Sequence, residues 1–184
     1  MLGQAFEDVL RAARVGADWA WAEIYDDLAP AMLGYARARG AAEPDDLVGE
    51  IFLQIVRDLP RFDGSEADFR SWAFTIGHHR LLDDFRKRAR RPVEPVEPEQ
   101  LTDALGRGDA EEEALASLGT QRVRRLLSTL TAEQQEALLL RVIADLSTEE
   151  IGKILRKRPG AVKALQRRGL AGLKKEIIKE AVAR

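Results

Sequence analysis

The chain has 184 residues, room for one ordinary domain or two small ones, and no cysteine, which excludes disulfides, thiol catalysis and cysteine-ligated zinc. Alanine (27) and leucine (24) far outnumber valine (10) and isoleucine (9), an excess of helix formers over β-branched residues that predicts an all-α fold. A net charge of −2 gives no overall attraction to nucleic acid, so any case for DNA binding rests on where the charges fall.

The opening MLGQAFEDVLRAARVG carries acids and lacks the basic start and apolar stretch of a signal peptide. No apolar run approaches the roughly 18 residues that span a bilayer, so a cytoplasmic location without membrane insertion is expected. Periodicity predicts helices over about 4–14 and 18–39, the second bent by Pro30. A third starts at Glu43-Pro44-Asp45-Asp46, where proline suits a first turn and the acids suit the positive end of the dipole. Its apolar stripe is Leu47, Val48, Ile51, Phe52, Ile55, Val56 and Leu59. Ser65 and Asp68 then form a capping-box pattern ahead of a long fourth helix, about 66–90.

Periodicity stops at Arg91. Three prolines at spacing three follow (Pro92, Pro95, Pro98), a pattern of extended polyproline type, and 92–119 holds eight acids against Arg107. This segment is read as an acidic linker between an N-terminal unit, 1–91, and a C-terminal unit, 120–184. Beyond it, Thr131 with Gln134 and Ser147 with Glu150 make two more capping boxes. A short helix ending near Leu155, a turn through Arg156–Gly160 and a final helix to about Glu180 make a helix-turn-helix layout.

The basic charge is concentrated on both sides of the linker. Arg80, Arg86, Lys87, Arg88, Arg90 and Arg91 face only Asp83 and Asp84, while 152–179 holds ten basic residues against Glu176. In the final helix Val162, Leu165, Gly169 and Leu173 share one face, and Gly160, Lys163, Ala164, Arg167 and Ala171 share another. Small residues let a helix approach the floor of the major groove, and Lys or Arg reach base edges and phosphates. Gly169 and Gly172 are expected to weaken the end of that helix, by up to about 1 kcal/mol each.

The string Asp45–Phe62, DDLVGEIFLQIVRDLPRF, and its continuation Phe69–Arg86, FRSWAFTIGHHRLLDDFR, resemble region 2 of bacterial sigma factors. Leu126–Leu173, with LLLRV at 138–142, LSTEEI at 146–151 and GAVKAL at 160–165, resembles region 4. A region 2 followed by a region 4 is the pattern of the extracytoplasmic-function (ECF) group. The resemblance implies two small helical domains and a transcription initiation factor, not an enzyme, needing neither metal nor cofactor. The factor would bind core RNA polymerase through the clamp coiled coil of the β′ subunit and the flap of the β subunit. It would recognise a −10 and a −35 promoter element, in double- and single-stranded DNA at the nucleoid, and an anti-sigma factor is a further candidate partner.

Carried over residue by residue, Asp46, Leu47, Val48, Glu50 and Phe52 match the polymerase-docking helix. Arg61, Phe62, Ser65, Trp72, His79, Arg80, Arg86, Lys87 and Arg88 match the −10 surface, where reading a single strand needs cations and a stacking face for an extruded base, with Phe69 a further stacking candidate. The family often carries Asn where His79 stands; both side chains hydrogen-bond a base, with different geometry. Arg156, Lys157, Arg158, Gly160, Lys163, Ala164, Arg167 and Arg168 form the −35 surface. The competing reading is a one-component helix-turn-helix regulator whose N-terminal helices bind a ligand, which gives no account of the DDLVGEIF string.

Overall fold

The computed structural model describes residues 2–90 and 121–182, so the segment read as a linker, 92–119, lies outside the described residues. A 3-10 turn, Gly3–Ala5, leads into α1 (Phe6–Arg14), α2 (Asp18–Arg39), α3 (Pro44–Asp58) and α4 (Glu66–Arg90). The second unit holds α5, described over 121–128, then α6 (Ala132–Val142), α7 (Thr148–Leu155) and α8 (Pro159–Val182). Every described element is helical, as the composition predicts.

The predicted stops and starts have local chemistry behind them. α2 ends on Gly40, whose φ of +79° suits a residue without a Cβ and whose N–H donates to the Ala36 and Arg37 carbonyls. α3 opens on Pro44 with Asp45 and Asp46 in its first turn. At the start of α4 the Asp68 N–H donates to Ser65 Oγ (3.3 Å) and the Ser65 N–H to Asp68 Oδ2 (3.1 Å). Hydrogen bonding to Ser65 holds the Asp68 carboxyl below its usual value. Thr131 and Ser147 head α6 and α7 with complete capping boxes.

The buried core runs through both units, with Ile24, Leu28, Met32, Ile55, Leu59, Phe74 and Leu81 from the first and Leu140, Leu146, Ile151 and Val162 from the second. Gly169 has a packing reason that the sequence reading lacked: a Cβ there would lie 2.7 Å from Leu138 Cδ1. At Gly172 a Cβ would sit 3.1 Å from Leu130 Cδ2. The two glycines let α8 lie close against α6 and the residues before it, which offsets their poor helix propensity.

The two units also pack on one another, α4 against α7 and α2 against α6. Arg39 at the end of α2 donates to Gln135 Oε1 (3.1 Å) and Glu136 Oε1 (2.8 Å), and both charged side chains are nearly closed off from water, at 7% and 13% exposure. Arg70 on α4 donates to the Ala144 carbonyl (2.7 Å) and pairs with Asp27 (3.3 Å). Burial pushes the Glu136 carboxyl above its ordinary value even beside Arg39. No local sequence pattern marks the ties between the units, because Arg39 and Arg70 reach partners 74–97 positions away.

Candidate nucleic-acid and polymerase interface

α3 divides the predicted docking residues by helical period. Leu47, Val48 and Phe52 face inward and are buried, whereas Asp46 and Glu50 are exposed on the opposite side. Glu50 pairs with Arg80 of α4 (3.6 Å), and Arg80 also donates to Gln54 Oε1 (2.7 Å). These charges line a cleft of about 220 Å³ with Asp46, Asp83 and Lys87. On the other flank, Tyr25, Ala29, Pro30, Leu33 and Val48 line a more apolar groove of about 540 Å³ between α2 and α3, edged by Asp26 and Asp45. The polymerase and −10 candidates are thus neighbours along the α3–α4 seam.

The −10 candidates fall into a loop, a helix face and a helix end. Arg61, at the end of a 3-10 turn (Leu59–Arg61), and Ser65, just before α4, are both exposed. Phe62 and Phe69 are buried, packed edge to face at 5.4 Å between ring centres. Trp72 lies 5.1 Å from Phe62 and 5.7 Å from Phe69 and stays partly exposed, so it offers the accessible aromatic face of the three. His79 is exposed, but its neighbour His78 turns inward to a 3.1 Å hydrogen bond with the Tyr35 hydroxyl. Burial lowers His78 from 6.5 to about 4, keeping it neutral, and raises the Tyr35 hydroxyl. Arg86, Lys87 and Arg88 are exposed on the last turns of α4; Arg86 pairs with Asp83 and Arg88 with Asp84.

In the second unit, the turn between α7 and α8 is set by Arg156 at φ +54°, with the Lys157 N–H donating to the Gly152 carbonyl (2.8 Å). Gly152 has no room for a side chain: a Cβ would meet the Lys157 carbonyl oxygen at 2.7 Å. Val162, Leu165 and Gly169 face inward, as their spacing predicts. Gly160, Lys163, Arg167 and Arg168 are exposed, and Ala164 is half-buried. Arg156 and Arg158 are exposed beside the helix start, while Lys157 Nζ is engaged by Glu133 Oε1 at 2.7 Å. That pair was invisible in the sequence, because it joins positions 24 apart.

Among the described residues no cluster of three or more His, Asp or Glu side chains is placed to hold a metal, and no helix is long and apolar enough to cross a membrane. Fold and site together define an all-α, helix-turn-helix DNA-binding protein with a second helical unit. Residues 24–91 match the family Sigma-70 region 2, and residues 120–173 match Sigma-70 region 4. The chain is 32% identical to ECF RNA polymerase sigma factor SigD of Mycobacterium tuberculosis over 97% of its length and 86% of the relative's. It is 33% identical to ECF RNA polymerase sigma factor ShbA of Streptomyces griseus over 79% of this chain and 81% of that one. The chain belongs to the ECF RNA polymerase sigma factors, a family of non-enzymatic transcription initiation factors, and the one-component regulator reading is not favoured. Among solved structures, CnrH in complex with the cytosolic domain of CnrY superposes with a TM-score of 0.69 at 23% identity, covering 93% of this chain and 96% of that one. RpoE in complex with the anti-sigma factor NepR from Bartonella quintana gives a TM-score of 0.61 at 22% identity over 83% and 93% of the two chains. At that identity both speak for the fold.

Proposed function

We propose that α3 docks this chain on core RNA polymerase, that the 61–65 loop and α4 read and open the −10 element, and that α8 reads the −35 element. The observation that carries this reading is the outward face of α8, where Gly160, Lys163 and Arg167 stand exposed on a capped helix-turn-helix. The half-buried Ala164 keeps that face low enough for a major-groove floor.

Support for the remaining parts is chemical. Asp46 and Glu50 offer exposed carboxylates to the β′ clamp coiled coil, and the apolar α2–α3 groove beside them can seat a partner helix. Trp72 and His79 offer a stacking face and a hydrogen-bonding ring, and Arg86, Lys87 and Arg88 supply cations for phosphates. The proposed division is 1–91 for polymerase and −10 contacts, 92–119 as tether and 120–184 for the −35 element and the β flap. The chain catalyses nothing itself and works at the nucleoid in the cytoplasm. The complexes of CnrH and RpoE support an anti-sigma factor as a regulator here too. Run-off transcription with purified core polymerase tests the reading. The full chain should start transcripts at a defined site, and Asp46→Ala with Glu50→Ala should abolish co-purification with core. Operator binding without any polymerase-dependent transcript would refute it.

A further inference from the structure

Resting on the −10 assignment proposed above, we infer that the N-terminal segment 2–14 is a brace for −10 reading, with Arg14 as its main positioning residue. Three separate ties run from this segment to Phe62, Glu66 and Phe69, in the reading loop and the first turn of α4. The Arg14 guanidinium donates to the Phe62 carbonyl. The amides of Leu2 and Gly3 donate to the Glu66 carboxylate, Gly3 at 3.1 and 3.2 Å to its two oxygens. The Phe6 ring lies 5.7 Å from Phe69, beneath the ring cluster that ends in Trp72. The first tie fixes the entry to the loop, the second its exit and the third its floor. The segment lies outside the part of the chain that matches Sigma-70 region 2.

The loop needs such fixing. Asp63, Gly64 and Ser65 are exposed, and Gly64 is folded so tightly that a Cβ would meet Asp68 Cβ at 2.9 Å and Phe62 Cζ at 3.1 Å. A base captured beside Trp72 gains from a surface already set in place, because ordering the loop on binding would cost affinity and blur discrimination. Arg14 makes a charge-assisted bond to the loop's own backbone at its entry, and at its exit the Glu66 carboxylate is anchored on the Leu2 and Gly3 amides, so both ends are held while Ser65 and Trp72 stay available. Arg11, on the same helix, pairs with Asp8 in open solvent and takes no part.

The experiment uses holoenzyme assembled from the full chain and core polymerase. It transcribes a template library with randomised −35 and −10 segments, whose transcripts are sequenced. Arg14→Ala and Glu66→Ala should each reduce the preferred-to-next base ratio at a −10 position about fivefold. The −35 preferences and the salt dependence should stay as in wild type, Arg14→Lys should recover much of the ratio, and Arg11→Ala should change nothing. An Arg14→Ala enzyme that loses activity evenly on all templates with a flatter salt dependence would make Arg14 a phosphate contact and overturn the brace. Unchanged −10 preferences in Arg14→Ala and Glu66→Ala, where Trp72→Ala erases them, would overturn the brace and leave the −10 assignment standing. A wild-type enzyme without −10 preference would overturn both.

Discussion

The two units of this sigma factor hold their working surfaces by different means. In the N-terminal unit the ties around the −10 surface join residues far apart in sequence: Tyr35 to His78 across 43 positions, Arg14 to Phe62 across 48 and Gly3 to Glu66 across 63. In the C-terminal unit the helix-turn-helix is set by capping boxes between residues three apart and by glycines where α8 meets α6. The difference follows from the tasks proposed for them. Capturing an unstacked base takes a cleft assembled from several segments, whereas a recognition helix needs only its angle and its outward residues. The N-terminal surface should therefore fail as a whole when one tie is cut, and the C-terminal one by increments.

The largest effect is expected where the units meet. Arg39→Ala leaves Glu136 without its partner in a site with little water, and breaking such a pair costs about 3–5 kcal/mol. Units that share this contact cannot at the same time sit on promoter elements two helical turns apart, about 70 Å at ~35 Å per turn. The free Arg39→Ala chain should accordingly have a larger hydrodynamic radius than wild type and bind duplex DNA more readily. Exchanging the charges with Arg39→Glu and Glu136→Arg together should restore part of the compactness. An unchanged radius in Arg39→Ala would show that the remaining contacts between the units, α4 with α7 and α2 with α6, suffice.

Acid provides the next test, and its sign differs between the two units. His78 is held at about 4 when folded against 6.5 as its ordinary value, so between these pH values the unfolded chain binds the extra proton. Its contribution is complete above pH 6.5 and drains as pH falls towards 4, by up to about 3 kcal/mol. Glu136 has the opposite sign: its carboxyl is raised on folding, so its share of stability grows as pH falls. Urea titrations at pH 7.5, 6 and 5 should show the loss of stability in wild type and a flatter profile in His78→Gln. Equal slopes in the two proteins would place the acid sensitivity elsewhere.

The same contrast explains what could be read in the sequence. α2 and the start of α4 were legible to the residue, because Gly40, Ser65 and Asp68 are local signals. α1 begins at Phe6 rather than near residue 4, because Gly3–Ala5 forms a 3-10 turn whose end is tied to Glu66. The outward face of α8 was legible at Gly160, Lys163 and Arg167, since helical spacing alone sets their direction, whereas Ala164, expected beside them, is half-buried. The −10 surface was legible as a set of residue types but not as an arrangement. Phe62 and Phe69 are closed off and Trp72 is not, and that distinction depends on Phe6 and α1 packing from the far end of the chain. The junction through Arg39 and Glu136 has no sequence signal at all, because a single arginine at a helix end ordinarily points into water.

Glycine substitutions in α8 test the incremental side of the comparison. Gly169→Ala puts a methyl 2.7 Å from Leu138 Cδ1, and overpacking of this kind costs about 1–3 kcal/mol, only partly offset by better helix propensity. Gly160→Ala meets nothing within 4 Å and should be neutral or stabilising by up to about 1 kcal/mol. Thermal unfolding of the two variants should thus move in opposite directions. Two upward shifts would mean that propensity, not the approach of α8 to α6, governs the helix.

The smallest change in stability should come from Glu133→Gln, and it separates folding from DNA contact at a single ion pair. Glu133 holds Lys157 Nζ at 2.7 Å, with the two side chains 57% and 28% exposed, so the pair is worth at most about 1 kcal/mol to the fold. Its effect on DNA should be easier to see. Lys157 stands in the turn before α8, where a phosphate of a docked duplex would be near, and Glu133 both engages its ammonium and repels that phosphate. Glu133→Gln should leave the melting temperature almost unchanged, tighten binding of holoenzyme to promoter and steepen its salt dependence by about 0.9, the increment of one added phosphate contact. The gap between a matched and a scrambled −35 sequence should stay as it is, since phosphate contacts carry no base information. Lys157→Ala should remove the gain when combined with Glu133→Gln. A double variant that still binds more tightly than wild type would mean that Glu133 acts by general repulsion, and that Lys157 is part of the fold rather than of the DNA contact.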